Sequence, residues 1–249
     1  MNQANFAADR FSTITKWRST KGINIIYPKH QTPEGKGRGE CFLAAPVFGE
    51  VPQNWKNVDL PRHGLIRNLP TNYPAVSSLE VKTGTRFLEL NIPPREGYPW
   101  GITVGVMLEH LNPHQVDYWV SVHRQQDCGN KRLMPLSFGL HPYFATHGNI
   151  WRIISGNTEV TDSRHCHKNA KYFDCVRGQS IYLQTSQGTV KLELRQFDRF
   201  VIWSDNPEEY ICIEPTLGLR QELLLEPGVM KHGGCRMEFI ETPRHFIKR

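Results

Sequence analysis

Between residues 102 and 124 the chain alternates apolar and polar side chains with a period of two, twice over. That pattern specifies half-buried strands and excludes helices. Ile102, Val104, Val106 and Leu108 share one face of an extended segment. Val116, Tyr118, Val120 and Val122 do the same after the turn Asn112-Pro113-His114, so the two segments read as a hairpin. Segments 76–82 and 86–92 flank Thr83-Gly84-Thr85 as a second hairpin. The period recurs at 150–161, 180–184 and 189–195, where Val190, Leu192 and Leu194 alternate with polar residues, and again at 199–204, 210–214 and 235–241. No window carries the 3.6-residue period of an amphipathic helix. Many short strands separated by turn residues mean a sandwich or barrel.

Other segments are less regular. Seventeen prolines and twenty glycines break the chain often, most densely at 28–39 and 49–74. The first 21 residues are charged and unpatterned, and are expected to be loosely ordered or to hold one strand. No composition break or internal repeat divides the 249 residues, so one domain is expected, with a core supplied by 39% hydrophobic residues. No apolar run reaches the ~18–20 residues of a membrane span. The polar N-terminus has no apolar signal core, which leads to the expectation of a cytoplasmic protein.

The net charge of +6 would suit an acidic partner, but the lysines and arginines are scattered, with no run longer than two, as at Lys131-Arg132. Nucleic-acid binding calls for a basic stripe or a known module, and neither is present. One or two arginines in a pocket would still suffice for a sugar phosphate. The six cysteines, Cys41, Cys128, Cys166, Cys175, Cys212 and Cys235, lie far apart without a CxxC pair, and are expected to be reduced thiols. His165-Cys166-His167 resembles a ligand cluster, but no second cluster stands at a zinc spacing, so it reads as a polar loop. His165 and His167 also have the spacing of a metal-dependent β-barrel oxygenase or isomerase, yet residues 168–172 supply no carboxylate.

Three stretches offer chemistry. In Ser137-Phe138-Gly139-Leu140-His141-Pro142-Tyr143-Phe144, Pro142 biases His141 toward extended backbone at a strand end or rim. Aromatic residues beside it could wall a flat-faced ligand, and imidazole exchanges protons near neutral pH. In Pro61-Arg62-His63-Gly64-Leu65-Ile66-Arg67, the glycine allows close approach beside His63, and two arginines bracket the pair. In Tyr210-Ile211-Cys212-Ile213-Glu214-Pro215, Glu214 closes an apolar strand, where burial would raise its pKa toward that of a general base working near neutral pH. Each alone is more simply a packing or surface feature.

In this order the three resemble the aldose 1-epimerase (mutarotase) family, closest to its hexose-6-phosphate mutarotase branch. Residues 44–49 and 199–204 are similar to that family's segments too, and the likeness runs from about residue 23 to 241. The resemblance implies an all-β, galactose mutarotase-like β-sandwich (supersandwich) with an open concave sugar-binding face. It implies that His141 is the general acid at the ring oxygen and Glu214 the base at the anomeric hydroxyl, one on either side of C1. His63 would bind substrate, and Arg67 would hold a phosphate. The family places a hydroxyl-binding aspartate between the acid and the base, for which Asp174 or Asp162 would serve, and Arg38 is a candidate for its upstream arginine. No metal or other cofactor is implied, and a monomer or weak dimer acting on a sugar or sugar phosphate is expected. The alternative is a carbohydrate-binding protein of this fold without catalysis.

Overall fold

The computed structural model describes residues 5–242, apart from 71, 76, 82, 83, 127–130, 149, 166, 167, 177 and 220–222. It is built almost wholly of antiparallel strands in two large sheets. One has seven strands in the spatial order β1 (Phe6–Ala8), β2 (Ile14–Trp17), β5 (Cys41–Ala44), β11 (Phe138–Ala145), β18 (Tyr210–Leu217), β17 (Arg199–Trp203), β14 (Lys171–Asp174). The other has nine, β13 (Thr158–Asp162), β12 (Trp151–Ser155), β15 (Ser180–Thr185), β16 (Gly188–Arg195), β20 (Met230–Glu241), β9 (Gln115–Arg124), β8 (Ile102–Asn112), β7 (Thr85–Ile92) and β6 (Ser77–Val81). Two short ribbons, β3 (His30–Gln31) with β4 (Gly37–Arg38) and β10 (Met134–Leu136) with β19 (Leu223–Leu225), complete the fold.

The nine-stranded sheet follows the alternation closely. Along β8 and β16 every second residue is buried for the first eight positions, and both expected hairpins, β6–β7 and β8–β9, form. The strand expected at 235–241 begins earlier, at Met230, because Gly233 and Gly234 carry it under two aromatic rings. A Cβ on Gly234 would lie 2.5 Å from the Trp119 ring, and one on Gly233 would lie 2.7 Å from that of Phe197.

The seven-stranded sheet is covered on both faces at its centre. All eight residues of β11 and seven of the eight in β18 are buried. Their side chains divide by the two-residue period. Leu43, Leu140, Phe144, Ile211, Ile213, Phe200 and Ile202 enter the core between the sheets. Phe42, Ala44, Tyr143, Cys212 and Val201 form smaller clusters on the opposite, concave face.

The described part of residues 1–21, expected to be loosely ordered or to hold one strand, holds β1 and β2. Ile14 and Trp17 are fully buried, and the Trp17 indole Nε1–H donates to Pro113 O at 3.0 Å, tying β2 to the β8–β9 turn. Their spacing of three does not match a strand period, which hid them. His141 likewise lies inside a central strand, not at its end. A proline in such a strand removes a ladder donor and is normally confined to edges. Here the β11–β18 ladder opens between the pairs Gly139↔Thr216 and Tyr143↔Cys212. Pro142 and Pro215 stand in that gap, so neither takes a donor from a formed ladder. The register on both sides of the gap sets His141 across from Glu214.

Candidate active site

The concave face of the seven-stranded sheet opens into a cleft of about 720 Å³. Its floor holds His141 and Glu214, its sides Phe48, Tyr143, Val201, Trp203 and Tyr172, and its rim Lys36, Arg38, Glu50, Arg62 and Arg67, with His63 beside the floor. The three residues picked out by their motifs, His63, His141 and Glu214, therefore converge. Histidine Nε2 of residue 141 lies 3.2 Å from Glu214 Oε1, and each side chain is 5% exposed. The imidazole of His141 stacks on Phe42 at 4.7 Å and on Tyr143 at 4.8 Å between centroids, which fixes its plane.

Burial acts on this pair in opposite senses. It pushes the Glu214 carboxyl up to about 8 and holds His141 well below the usual imidazole range, with the nearby His63, Arg67 and Arg62 adding to the depression. Both shifts favour uncharged groups in a dry floor. Near neutral pH the pair therefore keeps one proton, and the short contact lets either partner carry it.

His63 is positioned by its backbone. It adopts a left-handed conformation, φ +66°, followed by Gly64 at φ +75°. Such a conformation is unusual for a side-chain-bearing residue and marks a constrained site. The loop is locked by the His63 N–H donating to Gly49 O at 2.7 Å. Gly49 N–H in turn donates to His63 Nδ1 at 3.3 Å. With Nδ1 accepting, the proton of the neutral ring sits on Nε2, which is then a hydrogen-bond donor. Burial, aided by Arg67 and Arg62, takes the His63 pKa down to about 3, so the ring is neutral at physiological pH. Gly64 permits this arrangement because a Cβ there would fall 2.3 Å from Ala45 O. Gly64→Ala is expected to cost about 2–4 kcal/mol through positive φ and backbone overlap. Thermal unfolding should show a lower Tm, and an unchanged Tm would mean the loop relaxes freely.

The cations differ in their engagement. Arg38 Nε donates to Asp205 Oδ2 at 3.0 Å, and its guanidinium lies 5.2 Å from the Trp203 ring. Arg67, on a short 3-10 turn (Ile66–Asn68), lies 4.2 Å over the Phe42 ring. Burial holds its pKa below the usual arginine value.

Neither aspartate proposed for sugar hydroxyls reaches the cleft. The Asp174 carboxylate is 85% exposed and pairs with Arg199 Nε at 2.6 Å. It shares a face of β14 with Tyr172 but lies one pleat further along the strand. Asp162 is tied to Arg164 and His165 in the loop after β13. Among the described lining residues the acidic side chains are Glu214 and Glu50. Glu50, next to a Gly49 that contacts His63, carried no sequence signal beyond its place in a loop. Trp203 and Phe48 were missed as well, although both fall in segments with family likeness. Also among the described residues, His141, Cys212 and Glu214 have ligand atoms within 4.8 Å of one another, a spacing at which they could hold a metal ion. Cys128, Cys166 and His167 lie outside the described residues.

A scan of protein-family models gives no match, and neither does a comparison with curated proteins. Solved structures do match over nearly the whole chain. A galactose mutarotase-like protein from Lactobacillus casei superposes with a TM-score of 0.76 at 12% identity, covering 96% of this chain and 98% of its own. A galactose mutarotase related enzyme from Lactobacillus acidophilus gives 0.69 at 16% identity, covering 95% and 94%. Galactose 1-epimerase from the same species gives 0.59 at 12%, covering 98% and 93%. The chain has the galactose mutarotase-like β-sandwich fold.

Proposed function

We propose that this protein interconverts the α and β anomers of an aldose, and that its cleft accepts a hexose 6-phosphate. The observation that carries this is the buried His141–Glu214 contact at the cleft floor. Ring opening requires one proton to leave the anomeric O1 hydroxyl while another reaches the ring oxygen O5. The C1–O5 bond breaks with its electron pair going to O5, and O1 becomes a carbonyl. Both oxygens are attached to C1, so an acid and a base 3.2 Å apart can reach the two together. A sugar lying on the floor presents O1 to Glu214 and O5 to His141, instead of being flanked from opposite sides. Glu214 takes the O1 proton, and protonated His141 gives one to O5. Rotation about C1–C2 followed by the reverse transfers closes the other anomer. The pair's single proton is the number this exchange needs.

His63 Nε2–H supports the ring oxygen or a neighbouring hydroxyl. Trp203 and Tyr143 offer apolar surface to a sugar face, and Glu50 stands where it can accept from hydroxyls at the rim. Arg62 and Arg67 supply the positive charge for a phosphate. The deciding experiment is polarimetry on glucose, galactose and their 6-phosphates, enzyme against buffer; rates equal to buffer for all four would remove the proposal. Loss of Arg67 as Ala should raise KM for a hexose 6-phosphate about 10–100-fold, the worth of a charge-assisted hydrogen bond, with the free hexose little changed. Equal losses for both sugars would place the phosphate elsewhere.

A further inference from the structure

We infer that the cleft floor is also a binding site for a divalent transition-metal ion of the zinc class, held by His141, Cys212 and Glu214, and that ion and sugar exclude one another. The binding half stands on geometry alone; the exclusion half rests on the proposed epimerase activity.

Cys212 and Glu214 are alternate residues of β18 and share its concave face, while His141 reaches in across the ladder gap. All three ligand atoms lie within 4.8 Å of one another. The 3.2 Å between His141 Nε2 and Glu214 Oε1 is close to what two ligands span when each is about 2.0–2.2 Å from one zinc ion. The sulfur takes a longer bond of about 2.3 Å, so a side-chain torsion of Cys212 completes the set. Imidazole Nδ1 of His141 is buried with no hydrogen-bond partner among the described residues. With Nε2 turned to Glu214, Nδ1 is the nitrogen a ligating imidazole would point away from the ion, and the ring plane is held by its stacking on Phe42 and Tyr143. A thiolate with an imidazole and a carboxylate selects zinc-like ions over magnesium or calcium.

Charge balance explains why a dry floor would accept an ion. On binding, the thiol of Cys212 and the proton shared by Glu214 and His141 are released, leaving a carboxylate and a thiolate against a dication. The trio is neutral overall, whereas either anion alone would be unfavourable there. His141 and Glu214 line the cleft where a sugar would reach the pair, so a bound ion occupies the groups that move its protons.

Metal-free protein should bind Co²⁺ with a thiolate-to-metal charge-transfer absorption and release about two protons per Zn²⁺ in calorimetry across buffers. In Cys212→Ser the band should vanish and Zn²⁺ should bind more than about 100-fold more weakly, beyond what losing an outer partner costs. Wild-type protein lacking the band, or equal Zn²⁺ affinity in the variant, would overturn the metal site. Neither measurement involves sugar, so both are separate from the epimerase reading, which fails only if metal-free protein does not accelerate anomer exchange. Given that activity, saturating Zn²⁺ should abolish it and a chelator restore it; an unaffected rate would overturn the exclusion.

Discussion

Glu214→Gln should abolish measurable anomer interconversion and, at alkaline pH, raise the thermal stability of the protein. The first effect follows from losing one member of the proton-transfer pair, a contribution of about 10²–10⁴ in rate. Glutamine keeps the shape and can still hydrogen-bond His141 Nε2, so sugar binding should survive. The second effect is a linkage argument. Burial raises the Glu214 pKa from 4.5 to about 8 in the folded protein. A carboxyl with a raised folded pKa imposes no penalty below pH 4.5, where it is protonated in both states. Stability is lost as pH climbs from there through 8, because only the unfolded chain gains by ionising. The full difference is on the order of 5 kcal/mol. For a chain of this size that is roughly 10 °C in Tm between wild type and variant at pH 9, shrinking toward zero at pH 4. The count of protons matters here, not which partner holds the one they share. Melting curves of both proteins across this range test it, and parallel curves would show that Glu214 ionises freely. Wild-type kcat/KM should also decline above about pH 8, where the pair has lost its last proton and no acid remains.

How much of this was legible beforehand depended on how each strand is covered. Strands with one face toward the core and one toward solvent, such as β8, β9 and β16, announce themselves by alternation. Strands buried on both faces do not. β11 reads Phe-Gly-Leu-His-Pro-Tyr-Phe-Ala, and its proline argued for a boundary when it sits in a ladder gap instead. The site was visible for the opposite reason. A histidine before proline and a glutamate before proline are locally odd, and the structure brings both oddities to one place. The two prolines sit in the stretch where the β11–β18 ladder opens, and His141 and Glu214 line the cleft from that stretch. Contacts made by loops were not legible. Glu50 and Arg38 owe their positions to the cleft rim and to Asp205, partners distant in sequence, whereas Asp174, the nearer guess, is claimed by Arg199 across the β14–β17 pair.

Replacement of His141 by Asn should lower the interconversion rate by about 10²–10⁴ as well, but its signature on stability differs from that of Glu214→Gln. Asparagine cannot shuttle a proton at neutral pH, and it gives up the stacking on Phe42 and Tyr143, so some stability is lost at every pH. The pH dependence then separates packing from titration. In wild type the folded-state pKa of His141 is held well below its ordinary 6.5. A base with a depressed folded pKa leaves stability intact above 6.5 and lowers it as pH falls, because the unfolded chain alone takes up the proton. Below pH 6.5 this loss on acidification opposes the gain from Glu214 becoming protonated, so the two contributions offset one another. Without His141 the glutamate term stands alone. Stability of the variant relative to wild type should therefore fall as pH rises toward 6.5 and stay constant above that. His63, depressed in both proteins, cancels in the comparison. A difference independent of pH would mean that His141 contributes only its ring to the floor. Near-normal turnover in this variant would remove it as the acid and leave Glu214 without a partner in the reaction.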